Sequence, residues 1–252
     1  PGPRPPRTQM PRYEQLDNTR HRDLCVATGF GAHFGDNMAM VPVVPAEFRQ
    51  LQREYTIFFR KDPAGGFQSV ALLGFEPHEN LYLQGARWVA ASLPATIARG
   101  PFLIGFREHP GAAGPVREPV IHVDMAHPRV VAAGGQRVFQ SDGSHSPYLE
   151  HIIAVLRAIH DGVEAGNALH AELDAMELLR PLDIDVSFDD TRGTRLSGLY
   201  GIDRERLAAL DAVSLLHLHR SGLLEVVHLL LASQDNLQRL VAEKTRRLAA
   251  EG

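Results

Sequence analysis

The chain has 252 residues, 44 % of them hydrophobic and 22 % charged, with a formal net charge of −4. Those proportions belong to a folded globular protein and exclude a wholly disordered chain, while the mildly acidic balance argues against a nucleic-acid binder, which normally carries a basic face. No apolar run approaches the ~20 residues of a transmembrane helix, and the single cysteine, Cys25, excludes an intramolecular disulfide and a cysteine-built zinc site.

Residues 1–17 hold Pro1, Pro3, Pro5, Pro6 and Pro11 among few apolar side chains. Such a segment buries too little to offset its ordering entropy, so a mobile tail is expected, with one folded unit over 18–252. From 18 to 145 the apolar runs are short and broken by Gly and Pro, which predicts a β-rich part. Asp23–Thr28 reads as a strand. Pro45 opens a short helix through Leu51, because proline fits the first helical turn. Thr56–Arg60 and Phe67–Phe75 flank a Gly/Pro loop and read as a hairpin. Glu79–Leu83, Phe102–Arg107 and Val120–Asp124 are further expected strands. Leu93–Arg99 is a short helix, and 108–118 is read as a loop.

After Ser146 the period changes, and 146–252 reads as mainly helical. Ser146 and Pro147 form a cap and first turn. Leu149, Ile152, Ile153, Leu156, Ile159, Val163, Leu169, Leu173 and Met176 then recur at three- and four-residue steps, predicting one apolar stripe on a helix of about 30 residues. Gly162 and Gly166 mark a candidate bend, and Pro181 is the expected stop. Leu182–Phe188 and Arg195–Tyr200 are a strand pair. Asp203 and Asp211 are N-caps of two helices, the second ended by Gly222. Leu223–Leu231 is ambiguous between strand and helix, and a last helix runs from about Gln234 to Leu248. The fold class is therefore α+β: a β-rich N-terminal half packed against a long helix, then a strand pair and C-terminal helices.

An ordered set of short stretches carries a family resemblance. Near the start are Arg20-His21-Arg22-Asp23, then Val41-Pro42-Val43-Val44-Pro45-Ala46-Glu47-Phe48 running into Tyr55-Thr56-Ile57-Phe58-Phe59. Leu72-Leu73-Gly74-Phe75, Glu79-Asn80-Leu81, Arg87-Trp88, Leu93-Pro94 and Gly100-Pro101-Phe102 follow. Toward the end come Leu196-Ser197-Gly198-Leu199-Tyr200, Leu216-His217-Leu218-His219-Arg220-Ser221-Gly222 and Asn236-Leu237 with Arg239-Leu240-Val241. In this order the chain resembles the SapC family over about residues 20–245. The resemblance implies a bacterial α+β domain and a non-catalytic accessory or binding role. By the family's associations, that role serves surface-layer assembly or TonB-dependent uptake and peptide-modification systems. It brings no catalytic residues with it.

Three constellations are candidate sites. Arg20-His21-Arg22-Asp23 gathers four polar residues before a strand. His21, Arg22 and Asp23 are the ligand-binding candidates, since an arginine fork suits carboxylate or phosphate; a buried Arg–Asp pair is the structural alternative. His122-Val123-Asp124 has the His-x-Asp form of a non-haem Fe(II) site, because strand residues i and i+2 share a face. His145, His217 or His219 would then supply the third ligand, and the alternative function is an Fe(II)-dependent oxygenase. His217 and His219 lie about 200° apart on a helix, so they cannot grip one metal there. Cys25 reads as a buried, inert thiol. In the accessory reading no cofactor is expected, and the partner is a protein or a small ligand, with a homo-oligomer compatible. No basic segment followed by an apolar one opens the sequence, so no N-terminal signal peptide is expected and the cytoplasm is the expected compartment.

Overall fold

The computed structural model describes residues 10–62, 65–111 and 114–251. In chain order the elements begin with β1 (Tyr13–Gln15), β2 (Cys25–Val26) and β3 (Met40–Pro42). A 3-10 turn at Pro45–Glu47 leads into α1 (Phe48–Leu51), followed by β4 (Ile57–Lys61) and β5 (Phe67–Leu72). Next come β6 (Leu83–Gln84), β7 (Arg87–Trp88), α2 (Ala95–Ala98), β8 (Phe102–Gly111) and β9 (Gly114–Asp124). β10 (Val130–Val131) and β11 (Gln136–Arg137) precede the long helix α3 (Pro147–Ala175). Then come β12 (Leu179–Ser187), β13 (Gly193–Ile202), α4 (Arg204–Ala208), α5 (Ala212–Arg220), α6 (Leu223–Ser233) and α7 (Asn236–Glu251). The α+β class is as expected.

The described chain divides into two compact units, residues 10–36, 85–87 and 97–160 forming the first and the rest the second. In the first, a three-stranded sheet has the order β1-β9-β8 and a smaller one the order β10-β2-β11. Leu24, Val26, Phe102, Val123, Phe139, Leu149, Ile152 and Leu156 close its core. α3 starts where the sequence placed it, because the Ser146 hydroxyl accepts the Leu149 N–H at 3.1 Å.

In the second unit five strands are ordered β12-β13-β4-β5-β3. β4 lies in the middle, which is why Ile57-Phe58-Phe59 is an unbroken apolar run. Phe58 joins Val70, Leu72, Val186, Leu196, Leu199 and Leu240 in one core cluster. Phe59 packs edge-on against His170 of α3, ring centroids 5.4 Å apart. The Asp203 and Asp211 caps are as read: Asp203 accepts from Glu205 and Arg206, and Asp211 from Ser214. Leu223–Ser233 resolves as helix, with Gly222 before it at φ 77°.

Several expectations are corrected. Residues 13–15 belong to a strand and not to a mobile tail, with Tyr13–Gln15 opposite Asp124–His122; residues 1–9 lie outside the described residues. The expected loop over 108–118 is the far half of a β8–β9 ribbon, apart from 112–113, which lie outside them. Arg107 pairs with Glu118 at 2.6 Å and Arg117 with Glu108 at 3.6 Å, and these cross-strand contacts outweigh local Gly/Pro content. Of Glu79–Leu83 only Leu83 lies in a strand, and Leu81–Tyr82 form a turn. The Asn80 carboxamide accepts the Tyr82 N–H at 2.9 Å, a local bond that competes with a strand ladder. Pro181 does not stop α3, which ends at Ala175 with Glu177 at φ 56°. It sits inside β12, an edge strand, where a missing N–H is tolerated.

The long apolar stripe also breaks. Val163 is 51 % exposed, and from Asp161 onward Gly162, Gly166, Leu169, His170 and Leu173 form the buried face. A Cβ at Gly162 would lie 2.6 Å from the Val44 Cβ, so the glycine is a close-approach residue. Gly162→Ala is expected to cost about 1–3 kcal/mol by overpacking, despite alanine's better helix propensity. Urea unfolding would check it: a stabilised variant would mean that Val44 yields freely.

Candidate functional site

The polar run before β2 borders a cavity of about 360 Å³ in the first unit. Thr19 to Leu24 line one side, and Met125, Val130 and Val131 the other. The bend that carries the run is built locally. Asp17 accepts the N–H groups of Thr19 at 2.9 Å and Arg20 at 2.8 Å, and these bonds hold its carboxyl below the usual range.

His21 is 4 % exposed. Its Nδ1 accepts the Asp17 N–H at 3.1 Å, which leaves the proton on Nε2 to bond Glu14 at 3.3 Å. Glu14 in turn meets Arg20 Nε at 3.3 Å. Arg22 donates to the Ser141 carbonyl at 2.6 Å. Asp23 takes Arg137 at 2.7 Å with its side chain 86 % exposed, so the alternative of a buried pair within this run is corrected. His21, Arg22 and Asp23 do share the border of one cavity. His21 supports its wall, Arg22 keeps most of its fork uncommitted, and Asp23 faces solvent.

The buried ion pair of this unit lies elsewhere, and no sequence pattern gave it away. Arg129, 5 % exposed, donates from NH2 to both Asp36 carboxylate oxygens at 2.9 and 2.8 Å. Its NH1 donates to the carbonyls of Ala27, at 3.3 Å, and Gly29. The guanidinium lies 4.4 Å from the centre of the Phe34 ring. Asp36 also accepts the Gly31 N–H at 2.8 Å, so the pair clamps the 27–36 loop.

His122 and Asp124 share a face of β9, as their spacing required, but the residues do not fit an iron site. The His122 ring lies across Gly105 of β8, where a Cβ would come within 2.4 Å of it. Asp124 Oδ1 accepts the N–H groups of Arg12 at 2.8 Å and Ala126 at 3.0 Å, so it works as a turn-builder. Among the described residues no three His, Cys, Asp or Glu side chains are gathered as a metal would need. Of the suggested third ligands, His145 bonds Glu150 at 2.8 Å, His217 bonds Glu172, and His219 lies exposed on α5.

Two nucleophile candidates are closed off. Cys25 is buried, its thiol directed at the Asp23 carbonyl at 3.6 Å. In the second unit Ser69 Oγ sits 2.8 Å from His170 Nε2, a serine–histidine contact the sequence did not suggest. Ser69 is 1 % exposed and His170 7 %, and burial pushes the imidazole pKa down. Both side chains are buried, so the pair is a core hydrogen bond.

Among known proteins, a family model described as SapC matches residues 16–240. No curated protein matches, and no solved structure matches. With nine-tenths of its length under that one model, the chain belongs to the SapC family.

Proposed function

We propose that this chain is a non-catalytic accessory or binding protein, and that the cavity bordered by Arg20 and Arg22 takes a carboxylate- or phosphate-bearing ligand or partner segment. The observation that carries the reading is the cavity's make-up: two guanidinium side chains beside an apolar wall of Leu24, Met125 and Val130. A planar fork matches a carboxylate or phosphate oxygen pair, and Arg22 spends only one bond, to Ser141, on the fold. The groups that chemistry would need support the same reading, because Cys25, Asp124 and Ser69 are engaged in holding structure. Surface-layer assembly or TonB-dependent uptake is the setting that the family resemblance implies. A cytoplasmic location, a homo-oligomer and the lack of any cofactor remain parts of this proposal.

The test is an amide NMR titration with inorganic phosphate and, separately, acetate. Saturable shifts confined to residues 19–24 and 130–132 are expected, weakened several-fold in Arg22→Gln. A flat titration with both anions would sink the binding site. Iron content after anaerobic Fe(II) reconstitution addresses the catalytic alternative. Below about a tenth of an equivalent is expected, whereas stoichiometric iron lost in His122→Ala would overturn the non-catalytic reading.

A further inference from the structure

The geometry points to a separate binding site in the second unit, for a small zwitterion with an aliphatic body: a free aliphatic amino acid or a short apolar peptide. A cavity of about 510 Å³ opens between α4 and α6, within the size range of small-molecule sites. Each helix contributes an apolar and a polar group on one face. Arg204 and Leu207 are three apart on α4, and His228 and Leu231 three apart on α6, so each pair projects the same way. Asp235, just before α7, completes the border.

The charges decide the ligand class. Arg204 and Asp235 are opposite in sign and line the same cavity, yet they do not meet. Among the described residues neither side chain, nor that of His228, makes any hydrogen bond or ion pair. Their neighbours behave differently. Arg206, also on α4, reaches Glu177 at 3.2 Å. Asp203 and Asp211, which precede helices as Asp235 does, spend their carboxylates on capping. Asp235 has the same position and leaves its carboxylate uncommitted.

Two opposite charges that line one cavity with Leu207 and Leu231 and do not pair are complementary to a molecule that carries both signs around an aliphatic centre. A purely anionic ligand would face Asp235, and a purely cationic one Arg204, each a like-charge penalty. The carboxylate of the zwitterion goes to the Arg204 fork, its ammonium to Asp235, and its side chain onto the leucines. His228 adds a donor beside the carboxylate. All three polar residues are exposed, and exposed ion pairs contribute little each, so dissociation constants of order ~1 mM are expected.

The site does not depend on the cavity of the first unit, and either can fail without the other. Its test is an amide NMR titration with L-leucine and with L-leucyl-L-leucine, which separate the amino acid from the peptide. N-acetyl-leucinamide, equally aliphatic but uncharged, is the control. Saturable shifts at residues 204–208 and 228–235 are expected with at least one zwitterion and none with the control. Arg204→Gln and Asp235→Asn should each weaken binding about two- to fivefold; both side chains are exposed and neither makes a hydrogen bond or ion pair among the described residues, so both variants should keep the wild-type spectrum elsewhere. No saturation by either zwitterion up to about 50 mM would overturn the proposal. So would equal binding of the uncharged control, or unchanged affinity in both variants.

Discussion

Asp36→Ala is expected to destabilise the protein by about 3–5 kcal/mol, because it strands a buried guanidinium. Arg129 and Asp36 each have side chains only 6 % exposed, so neither charge can recover water when its partner goes. The loss is compound. Asp36 also accepts the Gly31 N–H, so the loop over 27–36 loses an anchor with the ion pair. Arg129→Met should cost less than Asp36→Ala. It removes the charge, keeps apolar volume against Phe34, and leaves a carboxylate that still has an N–H donor. The double variant Asp36→Ala/Arg129→Met should be more stable than the sum of the singles allows, since no unpaired buried charge remains. Urea unfolding of the four proteins completes the cycle. A cost under about 1 kcal/mol for Asp36→Ala would mean that water reaches Arg129 and that the clamp is dispensable.

Lys244→Met should cost about 3 kcal/mol and should also change the alkaline limb of the stability profile. Lys244 is 6 % exposed on α7 and donates to Glu76 at 2.7 Å and Glu79 at 2.6 Å. Glu79 is itself tied to the Phe75 N–H at 2.7 Å, so the lysine locks the 75–79 turn to the helix. Burial alone would lower the ammonium pKa, but the two carboxylates outweigh it and raise it above the usual value. A raised folded pKa gives a defined sign. The contribution is complete below the unfolded lysine value of about 10.4 and is lost as pH rises through the folded value. The gap between wild type and Lys244→Met should therefore be constant from neutral pH to about 10 and close above it. Buried tyrosines titrate in the same region, and burial pushes Tyr148 up to about 12, but they are common to both proteins and cancel in the difference. A gap independent of pH to the alkaline limit would show that the methylene stem, and not the charge, carries the effect.

The parts of this fold legible in the sequence are those fixed within a few residues. Asp203 and Asp211 declare their helices because a cap acts on N–H groups two or three positions ahead. The first half of α3 follows from the spacing of Leu149, Ile152 and Leu156. In its second half Leu169 and Leu173 are buried as the spacing requires, but Val163 is not, because Gly162 takes the buried position and a hydrophobicity pattern reads a glycine as a gap. The near half of the β8–β9 ribbon was legible, and its far half was missed because the evidence there is pairwise: Arg107 means little until Glu118 is placed opposite it. The same distinction governs the sites. Thr19 to Leu24 stand out as a polar run, but the wall facing them comes from Met125 and Val130, more than a hundred residues on. Arg129 and Asp36 are 93 positions apart, and nothing local to either marks it as buried. Arg204 and Asp235 look like ordinary surface charges until α4 and α6 are set side by side.

The β8–β9 ribbon also bears on how this protein behaves at high concentration. Among the described residues β8 is the edge of its sheet and β1 covers β9 at residues 122–124, so most of the ribbon has two margins that no described strand pairs. An open margin is a template onto which strands of other molecules can add, the first step toward fibrils. Pro110 and Pro119 each withhold a donor from the ladder, and a paired strand tolerates them only where the proline nitrogen faces outward. The margins are thus interrupted at those positions, and the Arg107–Glu118 and Arg117–Glu108 ion pairs keep the ribbon hydrated, so an added strand would have to displace that water. Pro110, one of the residues that made this segment look like a loop, thus helps keep an exposed ribbon from recruiting copies of itself.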